Sequence, residues 1–126
     1  MVASPSVAQA PRETRSPAER LAGRRTKRRA GFFAGEDHGG WEFSFLYVDA
    51  GPGKGPALHK HPYAEVFIVL EGESMFIAGD EQRLVVAGEI VIVPADTPHR
   101  FYNAGQSTLR QIDIHESPRF ITDWLE

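Results

Sequence analysis

Short apolar segments separated by turn residues run through the chain from Phe32 to its end. In the first segment, residues 41–48, all positions of one parity are aromatic, namely Trp41, Phe43, Phe45 and Tyr47. A period of two along the chain indicates a β-strand. We predict further strands at residues 58–61, 65–70, 74–78, 82–86, 90–93, 100–103 and 108–115.

Clusters containing Gly or Pro separate these segments and recur roughly every eight to twelve residues. Many short strands at that spacing predict an all-β sandwich or barrel rather than alternating strands and helices. The segments 65–70 (EVFIVL) and 90–93 (IVIV) are apolar on both faces. We therefore expect one face of these strands in the core and the other lining a cavity or covered by a partner.

Residues 1–30 have a different texture, rich in Ala, Ser, Pro and Arg and without an apolar period. We predict a disordered basic tail over 1–30 and a β-domain over 31–126. The basic run 20–29 (RLAGRRTKRR) is typical of a solvated tail. Two alternatives stay open, which are a tether to nucleic acid or an anionic surface and a transit-like presequence.

Charge is distributed unevenly between tail and body. Residues 31–126 carry 15 of the 17 acidic residues and a net charge of −9. Because phosphate contacts need clustered basic side chains, the acidic body argues against nucleic acid as a partner of the folded domain. No apolar run approaches the ~20 residues of a membrane helix, and no secretory signal is evident. We expect no membrane partner and a cytoplasmic location.

Candidate chemistry is concentrated in one short stretch of the chain. Alternate residues of a strand share a face, so the imidazoles of His59 and His61 can converge on one ion. Glu65 follows at the start of an apolar strand, where a buried carboxylate is costly unless it binds something positive. The chain has no cysteine, which excludes thiolate ligands and disulfides. These residues predict a cation site built from imidazole and carboxylate.

Two sequence patterns then resemble the paired motifs of the cupin superfamily. The first, G-x5-H-x-H-x3-E-x6-G, is formed by Gly53, His59, His61, Glu65 and Gly72. The second, G-x5-P-x4-H-x3-N, is formed by Gly88, Pro94, His99 and Asn103. One departure is Asp96, where the second motif usually has a glycine; Asp is one of the few residues that tolerate a left-handed conformation.

The resemblance implies a double-stranded β-helix, or jelly-roll barrel. It also implies that His59, His61, Glu65 and His99 bind one divalent transition metal, and it is the resemblance that joins His99 to the other three. Three imidazoles and a carboxylate suit Mn, Fe, Co, Ni, Cu or Zn. The implied assembly is a homodimer.

An open metal position makes an enzyme the leading hypothesis for function. The reaction would be of the oxygenase (including dioxygenase), isomerase, or decarboxylase and lyase type, acting on a small organic molecule. The alternative is a module that binds a small ligand or metal without catalysis. Among the remaining candidates, we predict surface or packing roles for His38 and a surface position for His115. Residues 117–126 are expected to form a helical turn or an extended arm with Trp124 packed.

Overall fold

The computed structural model describes residues 31–126. Residues 1–30, for which a disordered basic tail is predicted, lie outside the described residues. The described part contains a 3₁₀ helix at Gly35–His38 and ten strands: β1 (Gly31–Phe33), β2 (Ser44–Ala50), β3 (His59–Lys60), β4 (Glu65–Glu71), β5 (Glu73–Ala78), β6 (Glu81–Val86), β7 (Ile90–Val93), β8 (His99–Asn103), β9 (Leu109–His115) and β10 (Asp123–Trp124). None of its helices is long and apolar enough to cross a bilayer.

The strands form two five-stranded sheets. Sheet A has the order β1-β2-β9-β4-β7, and sheet B has the order β10-β3-β8-β5-β6. Every pairing in both sheets is antiparallel. The predicted all-β jelly roll is therefore confirmed, and its two sheets enclose a common interior.

Aromatic and aliphatic side chains fill one part of that interior. The buried cluster consists of Phe67, Val69, Phe76, Val85, Val93, Phe101 and Leu109. Its centre is aromatic, with the rings of Phe67 and Phe76 4.8 Å apart and that of Phe101 within 6.0 Å of both. Full burial of each such side chain contributes about 1.5–3 kcal/mol. This cluster joins sheet A to sheet B and supports the polar site beside it.

Strand β9 directs its polar side chains inward, against the usual pattern. Gln111, Asp113 and His115 are at most 2% exposed, whereas Ile112 and Ile114 face outward. The predicted surface position of His115 is therefore wrong. Its parity with Leu109 places it inside, where it meets other polar groups instead of solvent.

The outer face of sheet A is apolar across four strands. One row is formed by Phe45, Ile114, Val66 and Ile92, and the next by Tyr47, Ile112, Ile68 and Ile90. We call these eight residues the outer apolar face. Ile90 and Ile92 are the most open, at 60% and 67% exposure. The prediction that 65–70 and 90–93 are apolar on both faces matches this arrangement.

The C-terminal residues form an extended arm, 117–126, rather than a helical turn. Its strand β10 pairs with β3, and the Leu125 amide donates to the Leu58 carbonyl at 2.9 Å. Trp124 is 58% exposed, so the prediction of a packed tryptophan is wrong. Its ring contacts that of His59, with 5.0 Å between the centroids.

The structure also differs from the prediction before β2. The strand predicted at 41–48 begins only at Ser44, and β1 and the 3₁₀ helix were not predicted. The Ser44 hydroxyl accepts from the Gly35 amide and donates to the Ser117 carbonyl. A side chain at Gly35 would overlap the Trp41 and Phe43 carbonyls. These contacts hold the start of the 3₁₀ helix against the start of β2, and Trp41 and Phe43 precede the strand.

Two positions of the second motif, Asn103 and Asp96, fix turns outside the site. The side-chain NH₂ group of Asn103 donates to the Ala50 and Ser107 carbonyls, and its side-chain oxygen accepts from the Gly105 backbone N–H. Asp96 has a φ of 60°, which supplies the left-handed conformation expected where the motif has glycine. The Asp96 amide donates to the carbonyl of His61 at 2.7 Å and so joins the two motifs.

We predict that Gly55→Ala destabilises the fold whereas Gly51→Ala does not. Both glycines are exposed and lie in the same loop. A Cβ at Gly55 would overlap the Phe101 carbonyl, whereas one at Gly51 meets open space. We expect Gly55→Ala to lower the free energy of unfolding by about 1–3 kcal/mol and Gly51→Ala to be neutral or slightly stabilising. Equal denaturant midpoints for the two variants would contradict this packing.

Candidate metal centre

The four predicted ligands come together from both sheets. Glu65 begins β4 in sheet A, whereas His59 and His99 lie directly opposite each other on β3 and β8 in sheet B. His61 follows β3 in the bend before β4. One ligand atom from each residue lies within 4.8 Å of those of the other three, and all four residues are buried. The group is therefore close enough to hold one ion.

All three histidines direct their Nδ1 atom at a backbone carbonyl. The Nδ1 atoms of His59, His61 and His99 lie 2.7–2.8 Å from the carbonyl oxygens of residues 57, 121 and 97 respectively. A carbonyl only accepts hydrogen bonds, so each neutral ring carries its proton on Nδ1. The Nε2 lone pairs are thereby left free on the inner side, as metal-binding imidazoles require.

Glu65 lies at the centre of the imidazoles. Its Oε1 is 3.0 Å from His61 Nε2 and 3.1 Å from His99 Nε2, and the carboxylate is buried. Burial acts to raise the pKa of Glu65, but the contacts with His115, His61 and His99 outweigh it and hold the pKa well below its ordinary value. An ionised carboxylate in this interior calls for a cation.

The histidine rings respond to the same environment in different ways. Burial lowers the pKa of His59, with the neighbouring rings of His99 and His61 acting in the same direction. Burial also acts to lower the pKa of His61, but its contacts with Glu65 and Ile121 outweigh that effect and raise it. His61 Nε2 is buried and out of line for a hydrogen bond to protein. Such an unpartnered lone pair, beside an anionic carboxylate, fits a metal ion.

His115 is a fifth buried residue at this centre, and the sequence prediction missed its position. Its Nε2 lies 3.0 Å from Glu65 Oε2, and its Nδ1 is 2.7 Å from the Tyr63 hydroxyl. The alternation of Gln111, Asp113 and His115 with isoleucines was the available signal. That alternation does not show which face points inward, and the usual inward placement of isoleucine would have predicted the opposite face.

A cavity of about 370 Å³ opens beside the four residues. It is bordered by His59, His61 and Glu65 and otherwise by Leu46, Val48, Gly55, Pro56, Phe101, Asp113, His115, Phe120, Thr122 and Trp124. Phe101 lines it and lies on the same buried face of β8 as His99. The C-terminal arm supplies Phe120, Thr122 and Trp124 and so forms an outer wall. A larger cleft of about 580 Å³ between β6 and β7 contains none of the four residues.

Asp113 is the other buried acid in the cavity wall. Gln111 Nε2 donates to its Oδ1 at 2.8 Å. Burial raises the pKa of Asp113 well above its ordinary value, and the negative charge of Glu65 adds to the effect. The cavity therefore holds a second carboxyl group whose neutral form is favoured, next to a first whose ionised form is favoured.

This arrangement agrees with the match of the chain to a family model. Residues 46–115, more than half of the chain, match the model described as a cupin domain. The chain belongs to the cupin family. The match runs from within β2 to the end of β9 and includes all four of the residues that could hold a metal. A search of curated proteins finds no match.

Solved structures show the same fold in proteins of low identity to this cupin. A cupin-like protein from Thermotoga maritima is 21% identical, with a TM-score of 0.68 over 76% of this chain and 74% of its own. A double-stranded β-helix protein from Klebsiella pneumoniae is 22% identical, with a TM-score of 0.62 over 68% of this chain and 76% of its own. Oxalate oxidase is 20% identical, with a TM-score of 0.67 over 80% of this chain and 57% of its own. These likenesses concern the fold alone.

We predict that Asp113→Asn stabilises the protein near neutral pH. A raised pKa means that the folded state retains a proton that the unfolded state has lost, so the contribution of Asp113 to stability falls as pH rises above about 4. Asn keeps the acceptor for Gln111 and removes this penalty. We therefore expect Asp113→Asn to have a higher melting temperature than the wild type at pH 7. The gain should shrink as pH falls toward 4 in thermal unfolding, and a pH-independent difference would contradict the assignment.

Proposed function

We propose that this cupin binds one divalent transition metal through His59, His61, Glu65 and His99 and uses it in a reaction of a small organic molecule. The observation that carries the proposal is the shared orientation of the three imidazoles. Three separate backbone carbonyls turn their Nε2 atoms toward one ionised, buried carboxylate. A purely structural cluster would satisfy all of these Nε2 atoms within the protein, whereas His99 Nε2 is in hydrogen-bond contact with Glu65 Oε1 and His61 Nε2 has no partner.

The bound metal would supply Lewis acidity, and for some of the candidate metals redox chemistry as well. The residues of the chain have distinct tasks around it. The Nδ1 contacts fix the imidazole tautomers, and Glu65 provides negative charge that offsets the charge of the ion. Phe101, Phe120 and Trp124 border the space for an organic molecule and limit the access of water.

The cavity wall favours a substrate with an apolar body. Among the described residues it contains no lysine or arginine, so the metal would be the one strong positive charge. A molecule with several anionic groups would leave at least one of them facing Glu65 or Asp113 without a cation. We propose a neutral or singly charged substrate that reaches the metal through one or two oxygen atoms. The oxygenase, isomerase, and decarboxylase or lyase types all remain within this class.

Metal binding is tested by substitution of the metal-binding side chains and of one histidine outside the centre. We expect the purified protein, loaded with Mn, Fe, Co, Ni, Cu or Zn, to bind one ion per chain by elemental analysis. Glu65→Gln and His99→Ala should weaken binding at least about 100-fold, because each removes a donor. His38→Ala is the control, since His38 is exposed and stacks on Phe33. Wild-type protein that takes up none of these ions would refute the proposal.

Catalysis is tested separately, with the metal-loaded protein. Oxygen uptake and product formation are measured with catechols, 1,3-diketones, flavonols, and keto and sugar acids. Turnover that is lost in Glu65→Gln supports the enzyme. A compound that raises the melting temperature of the loaded protein without being consumed would instead favour the alternative, a non-catalytic binding module.

We further propose that the protein forms a homodimer through the outer apolar face. Its two rows cross four strands and leave Ile90 and Ile92 largely exposed. A contiguous apolar sheet face of this kind favours association. A second copy provides the same flat apolar surface, so a two-fold contact would cover both faces at once.

We predict that Ile92→Lys weakens the dimer. A buried lysine in the contact would be unpaired, and we expect a loss of at least about 30-fold in dimer affinity, equivalent to about 2 kcal/mol. Leu84→Lys is the matched control, because Leu84 is a 45% exposed residue of sheet B. Sedimentation velocity distinguishes the outcomes. A monomeric wild type, or an equal effect of both variants, would contradict the proposed contact.

A further inference from the structure

We propose that His115 is a positioning residue of the metal centre, which Tyr63 fixes in the tautomer that supports Glu65, and that it is not a fifth ligand. This inference rests on the proposed metal binding by Glu65 and the three other histidines. The ring of His115 lies 4.6 Å from that of His61, close enough for either role. The hydrogen bonds around Tyr63 decide between the two.

The Tyr63 hydroxyl has two neighbours with different requirements. The Ile121 backbone N–H donates to it at 3.1 Å, and a backbone N–H can only donate a hydrogen bond. His115 Nδ1 lies 2.7 Å away. If the hydroxyl donates its hydrogen bond to Nδ1, every N–H and O–H in this chain of contacts has an acceptor. The neutral ring of His115 then carries its own proton on Nε2, opposite to the tautomer of the other three histidines.

The proton on Nε2 faces the ligand carboxylate. His115 Nε2 lies 3.0 Å from Glu65 Oε2, although it is out of line for a straight hydrogen bond. The contact is therefore a bent one, in which a positive N–H edge lies against the oxygen. His61 and His99 approach the other oxygen, Oε1. The two oxygens thus have separate tasks, with Oε1 directed to the ion and Oε2 supported by His115.

The C-terminal arm takes part through a single residue. The Ile121 carbonyl lies 2.8 Å from His61 Nδ1, and the Ile121 amide donates to Tyr63. One backbone unit therefore orients a ligand histidine and also the tyrosine that orients His115. The rings of Tyr63 and His61 stack at 5.1 Å, which keeps the two parts together. The position of the arm and the geometry of the centre are coupled by these contacts.

Copper(II) bound to the full chain provides the test, since pulsed electron paramagnetic resonance counts coordinated imidazoles. We expect the same count in wild type, His115→Gln and His115→Leu, because His115 does not bind the ion. His115→Leu should weaken copper binding about 10–100-fold and change the g-values, because Oε2 loses its donor. His115→Gln, whose amide can donate to Oε2, should restore much of the affinity. Tyr63→Phe should shift the spectrum in the same direction as His115→Leu.

Ser74→Ala is the matched control, because Ser74 is a fully buried polar residue on β5 that does not line the cavity. It should leave the copper spectrum unchanged. One imidazole fewer in both His115 variants would make His115 a ligand and overturn the inference. A spectrum and affinity unchanged in His115→Leu would overturn it as well. Wild-type protein that binds no copper or other candidate metal would refute the proposed function itself, a result distinct from these two.

Discussion

An ionised carboxylate buried among imidazoles is the constraint on which this structure depends. Glu65 is 2% exposed, and isolation of such a charge from water costs several kcal/mol unless neighbouring groups or a cation compensate. Three histidines contact its two oxygens. With their protons on Nδ1, the neutral rings of His61 and His99 direct Nε2 lone pairs at the carboxylate and do not neutralise its charge. A cation bound by Glu65 and the lone pairs beside it would complete the balance.

The jelly roll supplies the rigidity that this balance requires. Glu65 comes from sheet A and His59 and His99 from sheet B, so the aromatic core that joins the sheets also sets the distances within the centre. Backbone carbonyls at residues 57, 97 and 121 orient the rings. Because these carbonyls belong to the β3 and β8 approaches and to the C-terminal arm, three separate segments determine one set of tautomers.

The inward-facing polar residues reduce the stability of the fold and leave apolar side chains on the outside of sheet A. Asp113 is buried with its charged form disfavoured, and Gln111 and Ser74 have buried oxygen atoms without hydrogen-bond partners. Polar groups of this kind are destabilising in a core and typical of sites that bind another molecule. Displacement of isoleucines to the outside of sheet A follows from the same inversion. The strand whose polar residues enter the cavity must show its apolar residues to solvent or to a partner.

The sequence by itself determined the all-β class, the strand positions within a few residues, and the four residues of the candidate centre. These follow from local rules: alternation, turn residues, and histidine spacing that resembles a known motif. Tertiary structure alone decided that His115 and Asp113 face inward, that Trp124 is largely exposed, and that Ile121 contacts both His61 and Tyr63. Alternation in a strand separates its residues into two faces but does not show which face points inward. Contacts of the C-terminal arm with β3 and His61 join residues about 60 positions apart. No local sequence pattern encodes contacts over that separation.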